Sequence, residues 1–314
     1  MIQIRRFVFV IVAVCIALAV GIALGGGPLQ GDTDDSGAQL QAERDELREQ
    51  VTQLESARVL EEALVEARAP GIVADRLEGR GVTLLALPGT SDETVSGLKA
   101  AITLAGGVVA VSADISPDLV DPGKKTYVDS VATNSVQGEP GLAEIVTGET
   151  YDRIGALIAR AYAGSGDGTV LDETATQVDS ELQGAKLLEV EGEPGRRGSL
   201  VVLVGPTPAD DKATLEAQQV ILTAISRALV RRSDGFMLAQ PTGDDPGRSL
   251  AAALTADEDL ADDTSWSVLN TTEGSAAYVT GVYALAAAVA EQGGTYGLDS
   301  ETAVLPPGLP IPTD

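Results

Sequence analysis

The chain has 314 residues, of which 44% are hydrophobic, and this is enough for one or two globular domains with a sizeable core. Its 21 basic and 47 acidic residues give a net charge of −26, which argues against binding to nucleic acid or to anionic headgroups through its folded part. The sequence has no histidine, so the commonest general base and the commonest transition-metal ligand are absent together.

The first segment to consider is an apolar run over residues 7–24, which contains no charged side chain. As a helix it would be about 27 Å long, just enough to span a bilayer. Arg5 and Arg6 precede the run and several aspartates follow it from Asp32. The positive-inside rule therefore predicts a single-pass transmembrane anchor over residues 6–26, with residues 1–5 in the cytoplasm and the bulk of the protein extracytoplasmic, in the cell envelope.

A removable signal peptide is the alternative for this segment, because Ala23 and Gly25 offer a small-residue cleavage site. The only cysteine, Cys15, lies inside the apolar run. The part predicted to lie outside the membrane therefore has no thiol and can form no disulfide, so its stability must come from packing.

A Gly- and Asp-rich linker is predicted over residues 27–37, followed by a helix over residues 38–69 that contains many Glu, Arg, Gln, Leu and Ala residues. Pro70 and Gly71 are predicted to end it. Its apolar residues fit a heptad seam that shifts register after Arg58; they are Leu40, Leu47, Val51, Leu54, Leu60 and Leu64. This predicts a short coiled coil that joins the chain to a copy of itself or to another coiled-coil partner. The alternative is one amphipathic helix that packs on its own domain.

Short β-type and longer helical segments alternate over residues 70–300, which predicts an α/β fold with a Rossmann-like, largely parallel sheet. The predicted strands are Val82–Leu87, Val108–Ser112, Leu187–Val190, Leu200–Val204, Phe236–Ala239 and Trp266–Leu269. The predicted helices are Thr94–Ala105, Thr150–Ala163, Val170–Gln183, Ala213–Val230 and Ala276–Ala290. The Pro-rich tail, residues 301–314, is predicted to be extended.

Four times a predicted strand runs into a polar turn and then a helix: "LALPGTSDET", "VLVGPTPADD", "MLAQPTGDDP" and "VLNTTEGSAA". In a parallel sheet these turns would share the carboxyl edge, where ligands usually bind. A phosphate site is disfavoured by acids near the helix N-termini; these are Asp92, Glu93, Asp210, Asp211, Asp244, Asp245 and Glu273. The favoured interpretation is helix capping by Ser, Thr and Asp, and the alternative is a hard-cation site or an acidic docking face.

The motifs of the sequence indicate no catalytic residue, no cofactor and no metal site. "AGSGDGTV" at Ala163–Val170 lacks the spacing of a phosphate loop and is interpreted as a flexible connection. Without histidine, only a lysine could activate a serine or threonine, and none of the lysines falls in a recognisable motif. Those considered are Lys99, Lys124, Lys125, Lys186 and Lys212. The sequence therefore predicts a non-enzymatic protein.

The order of segments carries a family resemblance. "MIQIRRFVFVIVAVCIALAVGIALGGGPLQ", the following "LQAERDELREQVTQLE", and the later "YDRIGALIARA" and "GSLVVLVGPT" resemble the actinobacterial MctB family, the mycobacterial copper transport protein B type. The resemblance implies copper homeostasis and a transport role in the cell envelope. A SteB-like branch of the family implies instead a link between cell division and the control of peptidoglycan hydrolases.

The residues present limit how such a family member could handle copper, because Cys, Met and His side chains select this metal. Outside the predicted anchor, Met237 is the only such residue after Met1. Two hypotheses remain: an envelope protein of copper homeostasis that acts through its coiled coil and domain surfaces, and a scaffold for an envelope or division protein.

Overall fold

The computed structural model describes residues 35–138, 140–192, 195–208, 211–241, 243, 247, 249–299 and 302–309. These residues form two compact units, the first ending at Leu60 and the second beginning at Glu61. Within the described ranges, no helix combines the length and the apolar character that a membrane crossing needs. The predicted anchor, residues 6–26, lies outside these ranges.

A long helix, α1, covers Asp35–Val73 and supplies the described part of the first unit. It begins inside the predicted linker and continues past Pro70, so the predicted end at Pro70 and Gly71 was wrong. Tertiary contacts hold its last turn: Val73 is fully buried, and the hydroxyl of Tyr283 donates a hydrogen bond to the carbonyl of Ile72 at 2.7 Å. These contacts outweigh the backbone hydrogen bond that a proline removes.

The second unit is built on one sheet of eight strands in the order β3-β2-β1-β4-β5-β6-β7-β8. The strands are β1 (Gly81–Ala86), β2 (Val108–Ile115), β3 (Leu188–Val190), β4 (Leu200–Val204), β5 (Gly235–Ala239), β6 (Trp266–Leu269), β7 (Thr295–Asp299) and β8 (Thr302–Val304). In this order, the six strands β2, β1, β4, β5, β6 and β7 are parallel to their neighbours. Strand β3 pairs antiparallel with β2 at one edge, and β8 pairs antiparallel with β7 at the other. The predicted largely parallel α/β fold is therefore confirmed.

Helices connect the strands and cover the sheet. They are α2 (Asp92–Leu104), α3 (Pro117–Val120), α4 (Lys125–Gly138), α5 (Thr150–Tyr162), α6 (Glu173–Gly184), α7 (Lys212–Val230), α8 (Leu250–Thr255) and α9 (Ser275–Val289). Helices α3, α4 and α8 and strands β7 and β8 were not predicted. The "AGSGDGTV" segment, predicted to be a flexible connection, contains a 3₁₀ turn at Gly166–Thr169.

The core lies on both faces of the sheet, and the central strands β4 and β5 are buried along their whole length. Leu85 and Leu203 belong to the cluster formed with α4 to α8, whereas Leu84 and Val202 belong to the cluster formed with α2, α9 and the end of α1. Adjacent residues of one strand thus enter opposite clusters, as the alternation of side chains in a strand requires. Continuous apolar runs such as β4 are typical of parallel strands covered on both sides.

One part of the predicted tail is not an extended polyproline segment. Residues 302–304 form β8, in which Val304 pairs with Gly297 and Ala303 pairs with Leu298 of β7. These residues precede the prolines at 306 and 307, so they retain the backbone N–H groups that a ladder needs. The tail therefore starts as an edge strand.

Candidate functional site

The four polar turns lie at one edge of the sheet. They follow β1, β4, β5 and β6, which are consecutive neighbours in the sheet and run parallel. The chain passes from β1 to β2 on one side and reaches β4 on the other, so β1 and β4 flank the point where the strand order reverses. Open α/β sheets bind ligands outside such a point. The structure thus confirms that the predicted turns come together.

Hydrogen bonds connect adjacent turns to one another. The hydroxyl of Thr90 donates to the carbonyls of Leu87 at 2.7 Å and Val204 at 3.1 Å, which lie on the first and second turns. The side-chain amide of Gln240 donates to the carbonyl of Pro206 at 3.1 Å, which connects the third turn to the second. Thr90 of the first turn and Gln240 of the third therefore donate hydrogen bonds to backbone carbonyls of the first two turns.

Helix capping explains the polar residues of two turns. The Ser91 hydroxyl accepts a hydrogen bond from the Thr94 N–H at 3.1 Å, and the Asp211 carboxylate accepts one from the Thr214 N–H at 2.8 Å. Hydrogen bonds from Thr214, first from its side chain and then from its backbone N–H, lower the pKa of Asp211. Asp92 and Glu93 occupy the first turn of α2, where acids suit the helix dipole. The capping interpretation is confirmed for Ser91 and Asp211; Asp210, Asp244 and Asp245 lie outside the described residues.

The N-terminus of α9 is capped by a distant residue. Its N-cap position is Gly274, which has a φ of 84° and no side chain to offer. The carboxylate of Glu62, on α1, accepts hydrogen bonds from the backbone N–H and the hydroxyl of Ser275, both at 2.6 Å. A negative group therefore already occupies the helix N-terminus that an anionic ligand would need.

An acidic cavity of about 540 Å³ opens beside the first turn, at the carboxyl ends of β1 and β2. Lys99 spans part of it and forms an ion pair with Glu191, with Nζ and Oε2 2.5 Å apart. The hydrogen bond from Lys99 lowers the pKa of Glu191. Asp92 and Asp114 also line the cavity. Across the described part of the chain, no group of three or more His, Cys, Asp or Glu side chains is arranged to hold a metal ion.

The soft ligand that the sequence offers for copper is not accessible. Met237 lies in the middle of β5, where 1% of the residue is exposed, and it belongs to the apolar cluster under α9. Its sulfur therefore packs in the core, where apolar side chains surround it. Cys15 lies outside the described residues.

The predicted interaction residues of α1 are exposed. The exposed fraction of these residues ranges from 52% for Val51 to 70% for Leu54. The values for Leu40, Leu47, Leu60 and Leu64 lie between these two. These six apolar side chains are therefore available on the surface of α1 for contact with a partner.

Sequence reasoning missed a second polar site, at the opposite edge of the sheet. There Arg160 and Arg197 both bind Asp172, with closest N–O distances of 2.5 and 3.2 Å. Burial would raise the pKa of Asp172, but the hydrogen bond from Arg160, the Ala175 N–H and the two positive charges lower it to about 2. The one sequence signal was the pair of adjacent arginines between glycines in "GRRG".

The family match and the most similar curated proteins indicate the same family. The family model described as "Copper transport outer membrane protein, MctB" matches residues 1–307. The proteins named copper transporter MctB from Mycobacterium bovis and Mycobacterium tuberculosis are each 24% identical to this chain over 273 residues, which cover 83% of this chain and 85% of theirs.

Among solved structures, a putative aspartate carbamoyltransferase from Leishmania major aligns with 64% of this chain and 77% of its own. Its sequence identity is 14% and its TM-score is 0.13.

Proposed function

The chain belongs to the MctB family, and from this premise we propose that it is a non-enzymatic, membrane-anchored protein of copper homeostasis in the cell envelope. It would act through the exposed side of α1 and the surfaces of the α/β domain, without ligating copper itself. The observation that carries this proposal is the set of exposed apolar residues on α1, from Leu40 to Leu64.

The argument against direct ligation is chemical. Copper sites are built from thiolate, thioether or imidazole groups, and carboxylates hold Cu(II) more weakly and without selectivity. The sequence has no histidine, and the sulfur of Met237 is buried in the core. A role in copper transport, which the names of the relatives imply, would then depend on an assembly rather than on a binding site in this domain.

The occupant that we propose for the α1 surface is a second copy of this chain. With Leu47 and Leu54 at one core position of the heptad and Val51 at the other, Glu43 and Arg48 fall at the flanking g and e positions. In a parallel pair, Glu43 of one helix would face Arg48 of the other, and opposite charges there favour this pairing. A parallel arrangement also suits two chains anchored in one membrane by residues 6–26.

A SteB-like scaffold, which links cell division to the activation of peptidoglycan hydrolases, is the second candidate. The same exposed residues support it, because a coiled-coil seam can pair with a helix of an envelope or division protein as well as with itself. The acidic surface, with a net charge of −26, favours neutral or basic partners in either case.

One pair of measurements separates the two candidates. In a deletion strain, copper homeostasis predicts growth that is more sensitive to added copper with normal septa, whereas the scaffold predicts misplaced or incomplete septa at every copper concentration. Normal copper tolerance together with normal septa would contradict both.

A further inference from the structure

Arginine side chains are concentrated at the amino edge of the sheet, opposite the four polar turns. Arg80 precedes β1, Arg197 precedes β4 by a few residues, and Asp234 precedes β5, so adjacent parallel strands bring them together. Arg196 and Arg232 complete the group with Arg160, which makes five arginines in a chain where acids outnumber bases by 47 to 21.

The carboxylates described at this edge, Glu78, Asp172 and Asp234, are outnumbered by the five arginines. Arg80 forms an ion pair with Asp234 at 2.8 Å, while Arg160 and Arg197 share the single carboxylate of Asp172. Burial and then the neighbouring charge of Arg160 lower the pKa of both Arg197 and Arg232. This edge therefore has a local excess of positive charge on an otherwise acidic protein.

Two buried guanidinium atoms in this group have no hydrogen-bond partner among the described residues: Nε of Arg197 and Nη1 of Arg160. The Arg197 side chain is 3% exposed, and its other nitrogens donate to the carbonyl of Arg160 at 3.0 Å and to that of Val170 at 2.5 Å. An unpaired buried donor is costly. Of these two residues only Arg197 lines the cavity at this edge, so an anion bound there would relieve the cost at its Nε.

A cavity of about 720 Å³ lies at this edge, within the size range of ligand pockets. Arg80, Arg196 and Arg197 line one part of it, together with the acids Glu78 and Asp234. The guanidinium of Arg196 donates a hydrogen bond to the Thr169 hydroxyl at 2.9 Å. Among the described residues, no carboxylate forms an ion pair with it. Val108 and its neighbours at the start of β2 line another part, and Val108 is 63% exposed.

We propose that this cavity binds a small organic anion, in which a phosphate or carboxylate group is attached to an apolar body. The anionic group meets the exposed guanidinium of Arg196 and the unpartnered Nε of Arg197, and the apolar body lies against Val108 and Ala110. The proposal does not depend on the coiled coil or on copper homeostasis.

Calorimetric titration of the purified full-length chain tests the site with four probes. Phenyl phosphate and benzoate carry both recognition elements, phenol carries only the apolar ring, and inorganic phosphate carries only the anion. We expect saturable binding of one phenyl phosphate or one benzoate per chain, weaker binding of inorganic phosphate and no binding of phenol. Whichever of the first two binds more tightly identifies the anionic group. Absence of saturable binding by both would overturn the proposal.

Two charge-reversing variants locate the binding. Arg196→Glu should weaken the binding of the tighter probe at least tenfold, because it replaces an exposed donor of the cavity by a repelling charge. Lys212→Glu makes the same change of charge on α7, where the lysine pairs only with the helix neighbour Glu216 among the described residues, and should leave binding unchanged. Equal affinities in the two variants would contradict the assignment. Val108→Asp, at the exposed apolar wall, should also weaken binding, with circular dichroism as the control for folding.

Discussion

The carboxylate of Glu62 caps helix α9 by accepting hydrogen bonds from the backbone N–H and the hydroxyl of Ser275, both at 2.6 Å. The two residues are 213 positions apart in the sequence. The contact connects the long helix α1 to the fourth turn of the sheet's carboxyl edge.

We expect Glu62→Ala to lower the free energy of unfolding by about 1 kcal/mol, which is typical for the loss of a helix N-cap. Gly274 cannot replace the lost side chain. Urea denaturation followed by circular dichroism measures the change. Glu66→Ala, at an exposed position on the same helix, is the matched control and should change the free energy much less. Equal effects of the two substitutions would show that the cap contributes nothing to stability.

Leu47→Asp combined with Leu54→Asp should abolish self-association in sedimentation equilibrium, because two charges would replace the apolar contacts of the proposed seam. Both leucines are already exposed in the single chain, at 54% and 70%, so the α/β domain should stay folded by circular dichroism. The matched control is Gln53→Asp with Ser56→Asp, which adds the same number of acids to other positions of the helix. A wild-type chain that sediments as a monomer would contradict the proposed pairing.

Asp172→Asn should change how stability depends on pH. The folded pKa of Asp172 is about 2, below its ordinary value of 3.8, so the ionised carboxylate stabilises the fold above about pH 4 and loses this effect as the pH falls toward 2. The melting temperature of Asp172→Asn should thus lie below that of the wild type at pH 7, and the difference should shrink toward pH 2.

The neighbouring acid in the first turn of α6 provides the control for this titration. Glu173→Gln removes one negative charge next to Asp172 and should show no comparable convergence with the wild type. A constant difference in melting temperature between Asp172→Asn and the wild type, from pH 7 to pH 2, would rule out the proposed ionic contribution.

We expect the part of the chain after the predicted anchor not to bind copper tightly. The purified segment Asp32–Asp314 should hold no stoichiometric copper at submicromolar concentrations in equilibrium dialysis, because Met237 is 1% exposed and the segment has no Cys or His. A positive control is available on α7, where Lys212 and Glu216 form an exposed ion pair one helical turn apart. Replacing both by His should create a detectable Cu(II) site. Tight copper binding by the unaltered segment would restore direct handling of the metal.

The carboxyl-edge turns could be predicted because each signal is local. An apolar strand, a Pro- or Asn-containing turn and an acid-rich helix start follow one another within about ten residues, as from Leu85 to Thr94. The parallel arrangement then brings the turns together. The caps at Ser91 and Asp211 follow from the same local rule.

The remaining features depend on contacts between distant parts of the chain. The cap of α9 requires Glu62, and the arginine cluster combines Arg80, Arg160 and Arg197, so no window of sequence contains either feature. Local signals were also outweighed where α1 continues through Pro70, because Val73 is buried in the core. Strand β7 was missed because Gly297, with a φ of 117°, interrupts its β-type pattern.

Copper tolerance of a complemented deletion strain tests the central claim most directly, namely that the protein supports copper homeostasis through the exposed side of α1 without ligating the metal. The strain would receive the wild type, Leu47→Asp with Leu54→Asp, the Gln53→Asp with Ser56→Asp control, or Met237→Leu, which conserves the volume of the buried side chain. We predict that the wild type, the control and Met237→Leu restore growth on copper and that the double leucine variant, present in the envelope at wild-type level, does not. Full restoration by the double leucine variant, or loss of tolerance with Met237→Leu at wild-type level, would contradict the account.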